Sequence, residues 1–217
     1  MADWDTMSDP FSAPVVVVTN EGFDDETGLL SYVLTDGERK EIGRAVEIKR
    51  KNPLLMRIAP PIEPKPFHFE LLLSTGAGMP LLRIEKRQRF PQRVWASVSE
   101  PAGPVIGVLT APAFPWRSWD YKIKDAGGTE TARIERVHRR HFPYTCVQDG
   151  TEIAQVDATR GWQTKVRGTR DFFNRFGNEY TVQISGEARG PLRTLLAVFP
   201  IIGDLSRNEM ANQVIRP

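Results

Sequence analysis

One cysteine, Cys146, stands in the whole chain, so no internal disulfide can form and packing with hydrogen bonding must hold the fold. Histidine is nearly as scarce, with His68, His138 and His141. His138-Arg-Arg-His141 sets two imidazoles around two cations with no cysteine or acidic cluster beside them, so no metal site is expected there. Gly-x-Ser-x-Gly, a phosphate loop and a dinucleotide fingerprint are all missing. Cys146 lies in Tyr-Thr-Cys-Val, where a small buried residue is the ordinary expectation, and nothing in the sequence pairs it with a base. The expectation is a protein that is not an enzyme and that takes neither cofactor nor metal.

Long apolar runs are also lacking. Crossing a bilayer takes about 20 apolar residues, whereas the most apolar stretch, Pro191 to Arg207, contains Arg193, Pro200, Gly203 and Asp204. Met1-Ala-Asp-Trp-Asp has neither the basic start nor the apolar run of a signal peptide, which makes a cytoplasmic setting the expectation. The 217 residues suit one large all-β unit. Its expected limits are an acidic, flexible tail over 1–14, a single domain over 15–209 and a C-terminal tail over 210–217.

Strand signals and turns fill the chain. Val15 to Thr19 is a β-branched run, and Leu29 to Thr35, Asp36-Gly37 and Ile42 to Lys49 read as strand, turn, strand. Five prolines between 53 and 66 mark an irregular connection, since proline cannot donate to a ladder. From Phe67 onward hairpins recur. Their turns start at Thr75, Glu100, Asp125 and Asp149, steps of roughly 25 residues that suggest an internal repeat. Trp162 to Arg167 and Tyr180 to Ile184 read as further strands. Pro191 then opens a helix over 191–207 whose leucines, isoleucines, Val198 and Phe199 leave almost no polar face. Such a helix belongs inside something, and Pro200 predicts a bend or split in it.

Charge is uneven behind a formal net charge of +2. Residues 1–30 hold seven acids and no Lys or Arg, whereas 80–175 hold 17 basic residues against 10 acidic ones. Arg83, Lys86, Arg87, Arg89 and Arg93 gather around one hairpin, and Arg133, Arg136, Arg139 and Arg140 around the next but one. On neighbouring strands these groups would hold a phosphorylated headgroup, because guanidinium forks match phosphate oxygens. Trp116 and Trp119, among prolines, form an aromatic loop suited to a bilayer interface.

An ordered series of hairpins ending in one apolar helix resembles the tubby C-terminal-like fold, and within it the phospholipid scramblase and LURP-one-related branch. The match rests on Leu73 to Ile84, Val98 to Gly107, Tyr121 to Gly127, Asn178 to Val182 and the helix through Asp204. The resemblance implies a closed antiparallel barrel of about twelve strands around a central hydrophobic helix. It implies a peripheral lipid- or phosphoinositide-binding module, with an anionic phospholipid headgroup as partner and no nucleic acid. Calcium is not expected, because Asp171 to Glu179 keeps too few carboxylates for about 6–8 oxygen ligands. The alternative is an intracellular protein-interaction module using the acidic lead or the proline-rich loop, with lipid scrambling a third reading.

Overall fold

The computed structural model describes residues 10–23, 26–27, 29–48, 68–89, 92–112, 120–137, 143–160 and 179–214. Twelve strands follow one another: β1 (Val15–Phe23), β2 (Leu30–Asp36), β3 (Glu41–Glu47), β4 (Phe69–Ser74), β5 (Pro80–Arg89), β6 (Gln92–Ser99), β7 (Val105–Pro112), β8 (Tyr121–Asp125), β9 (Glu130–Arg136), β10 (Tyr144–Gln148), β11 (Thr151–Arg160) and β12 (Glu179–Ile184). Among the described residues there is one helix, α1 (Gly190–Val214), which comes last. Each strand pairs antiparallel with its neighbours in sequence, and β1 pairs with β12, so the sheet closes into a barrel. Closure leaves no strand edge unpaired.

The wall alternates as a barrel of half-buried strands must. β2 buries Leu30, Tyr32 and Leu34, and β5 sends Leu82 and Ile84 inward while Arg83 and Arg87 face out. Inside, α1 buries every side chain from Arg193 to Pro200, followed by Ile201 and Ile202. Phe199 meets Tyr121 of β8 and Tyr144 of β10 edge to face, at 5.0 and 5.6 Å between ring centroids. Gly107 of β7 lets the helix approach, since a Cβ there would lie 2.5 Å from Leu195 Cδ1.

Two sequence expectations change, and a third goes untested. The helix does not end at 207 but continues through Val214, with Pro200 inside a single element rather than splitting it. Residues 10–14 are not part of a loose tail. Phe11 is buried, and the Arg193 guanidinium donates to the carbonyls of Phe11, Ser12 and Ala13 at 2.7, 2.9 and 2.7 Å, and to those of Ser185 and Ala188. A buried cation is thus satisfied by five carbonyl oxygens. The strand expected at Trp162–Arg167 lies outside the described residues.

Asp204, which the sequence shows only as a break in an apolar run, is fully buried in the lumen. It accepts hydrogen bonds from Asn20 Nδ2 at 2.7 Å, Tyr32 Oη at 2.9 Å and Tyr180 Oη. The helix is thereby tied to β1, β2 and β12. Burial first, and then the Asp204 charge, push the Tyr32 phenol well above the usual tyrosine range.

Candidate functional site

The barrel has two unlike ends. One is closed by short turns at 37–40, 75–79, 100–104, 126–129, 149–150 and 185–189. Thr75, Glu100, Asp125 and Asp149, the repeating turn starts, all sit at this end, where Asp125 Oδ1 accepts from Thr129 N at 2.9 Å and Gly128 and Gly150 take positive φ. The other end carries the connections 24–29, 48–68, 90–91, 113–120, 137–143 and 161–178. Every long connection is attached to that second rim, because an even number of antiparallel strands returns each of them to the same side.

Charge follows this division. The six short turns carry three Lys or Arg (Arg39, Lys40, Arg189) against four acids (Glu38, Glu100, Asp149, Glu187). The six connections of the opposite rim carry twelve Lys or Arg, from Lys49 to Arg175, against six acids. The connections attached to one rim therefore sum to −1 and those attached to the other to +6. At the strand ends on that side the sequence places Arg89, Arg93, Arg136 and Arg160 together with Glu47 and Glu179.

The two arginine groups expected to share a headgroup do not stand side by side. β5 and β9 are separated by β6, β7 and β8, and four strand spacings amount to about 19 Å along the wall. A single phosphate cannot bridge that distance, so each group acts alone and only the rim unites them. Lys86 leaves the group altogether. It has the same parity as Leu82 and Ile84, so it points inward; it is fully buried, with Nζ 5.8 Å from the Phe69 ring centroid.

Several of the remaining arginines on the wall already hold carboxylates. Arg83 reaches Glu70 at 2.6 Å, Arg87 binds Glu85, and Arg133 binds Glu130 together with Lys122. Hydrogen bonds from Lys122 and Arg133 hold the Glu130 carboxyl below its usual range. Arg136 is half-buried at the rim end of β9. The side chains of Arg89 and Arg93, and the whole of Trp116, Trp119, Arg139 and Arg140, lie outside the described residues; their connections leave and rejoin the barrel at the basic rim. Most of Asp171 to Glu179 is likewise outside them.

The acidic lead is not one unit. Glu21 sits in β1 and binds Arg44 and Ser31, Asp24 to Glu26 fall in the β1–β2 connection at the basic rim, and Asp3, Asp5 and Asp9 precede the docked Phe11 at the other end. Cys146 is buried in β10, and burial pushes its thiol up to about 12. Such a thiol carries almost no thiolate near neutrality. On the outer wall, Leu29, Val46, Ile48 and Leu72 line a groove of about 520 Å³ between β3 and β4, with Arg44 and Glu41 at its margin. No described helix is long and apolar enough to cross a membrane.

Compared with family models, curated proteins and solved structures, the chain matches none.

Proposed function

We propose that this barrel is a non-enzymatic, peripheral module that docks its basic rim on an anionic membrane surface on the cytoplasmic side, with phosphoinositide-bearing lipid as the preferred surface. The observation that carries this is the segregation of charge between the two rims. Twelve basic residues sit in connections attached to one end and three in those attached to the other. Trp116 and Trp119 fall in the 113–120 connection, which joins strand ends on the basic side, and amphipathic rings favour the headgroup level. The resemblance to the scramblase and LURP-one-related branch of the tubby-like fold supports the same reading. A lumen filled by α1 argues for a site on the exterior, and the burial of α1 argues against scrambling by a helix that inserts.

Vesicle flotation tests it. Neutral phosphatidylcholine vesicles should leave the protein at the bottom of the gradient. Vesicles with phosphatidylserine or a phosphoinositide should carry it up at low salt, less so as ionic strength shortens the Debye length from about 30 Å at 0.01 M to about 8 Å at 0.15 M. Arg139→Glu with Arg140→Glu should reduce the floated fraction severalfold, and Lys40→Glu with Arg189→Glu, at the opposite end, should not. Absence of binding to anionic vesicles at low salt, or equal loss from both pairs, would refute the proposal.

A further inference from the structure

We propose that His68, Glu70 and Glu85 form a site for a divalent transition-metal ion of the zinc class on the outer wall of the β4–β5 hairpin. The register builds it. Glu70 of β4 lies directly opposite Glu85 of β5, and His68, two residues earlier, shares the outward face of Glu70. One ligand atom from each of the three residues falls within 4.8 Å of the others. The side chains are sheltered rather than loose, at 20% exposure for His68, 17% for Glu70 and 20% for Glu85.

Two carboxylates facing each other in one rung repel, and a strand pair gains nothing from them unless a cation joins them. Arg83 and Arg87 balance that charge one for one, but both act on Oε1 oxygens, as does His68 Nε2, which is 2.7 Å from Glu85 Oε1. Among the described residues the Oε2 oxygens accept no hydrogen bond. The arginines thus hold each carboxylate by one oxygen and leave the other for a ligand, the arrangement by which outer groups orient metal-binding carboxylates. One imidazole nitrogen and two carboxylate oxygens are donor types that zinc takes, and three of them leave a fourth tetrahedral position for water. The imidazole selects against magnesium and calcium, which take oxygen donors. The competing account is an ion-pair cluster complete in itself.

Zinc titration against a chromophoric chelator separates the two, using the full chain with His138→Ala and His141→Ala so that His68 is the only histidine. One ion per chain should bind, and cobalt in its place should give visible d–d absorption of a nitrogen–oxygen set. His68→Ala, Glu70→Gln and Glu85→Gln should each weaken binding more than about tenfold, while their melting curves in chelator stay cooperative. His68 lies before the first residue of β4, so His68→Ala stays informative if a glutamate variant unfolds. No stoichiometric zinc binding, or binding retained in His68→Ala, would overturn the site.

Discussion

Single residues here act through parity and close approach. Gly107 is the sharpest case, because an added Cβ would meet Leu195 Cδ1 at 2.5 Å and the Lys124 carbonyl oxygen at 2.7 Å. The leucine can rotate; the backbone oxygen cannot. Gly107→Ala should cost about 1–3 kcal/mol in urea unfolding. Gly186, whose Cβ would meet nothing within 4 Å, should tolerate alanine to within about 0.5 kcal/mol. Equal effects at both positions would show that the helix does not press on β7. Cys146 gives a second test. With its thiol pushed up to about 12 by burial, a disulfide reagent at pH 8 should modify it only as fast as the barrel opens, and adding denaturant should release the reaction. Its burial was readable from Tyr-Thr-Cys-Val. The inward turn of Lys86 was readable as well, since it follows Leu82 and Ile84 at a step of two. Grouping arginines and lysine by nearness in sequence hides that parity.

Elements are legible where one periodicity dominates. Each described strand and the helix lie where apolar runs or alternation, turn glycines and one stretch apolar on every side mark them, while the strand signal at Trp162 to Arg167 lies outside the described residues. The helix C-terminus was not legible, because Asn208 to Val214 carry little apolar signal to extend the pattern. Leu196 is fully buried in the lumen, and Leu196→Asp would bring an unpartnered carboxylate there. The cost of about 5 kcal/mol or more is on the scale of a whole domain's stability, so loss of the cooperative thermal transition is expected by circular dichroism. A cooperatively folded, soluble Leu196→Asp protein would contradict the central position of the helix. Asp204 is accommodated in the same lumen where Asn20, Tyr32 and Tyr180 donate to it. Those partners come from three strands, two of them more than 170 positions away in sequence, so no local pattern could pair them.

For the whole molecule, the barrel sorts the chain into two rims. Residues 1–9 precede Phe11, which docks at the end opposite the basic rim, so deleting their acids should leave flotation on anionic vesicles unchanged. A large gain in binding would show instead that the lead reaches across. By itself the sequence determined that the protein is an all-β unit with one buried helix, because strand alternation and an apolar-all-round helix are local properties of residue order. It also determined which segments are basic. The closed barrel that the resemblance implied is present, and the tertiary structure alone decided that three strands separate β5 from β9 and that Phe11 and Arg193 lock the turn-bearing end. It alone set His68, Glu70 and Glu85 around one point. The physical reason is that closure and register depend on pairings between distant strands, each stabilised by backbone hydrogen bonds that carry no residue identity.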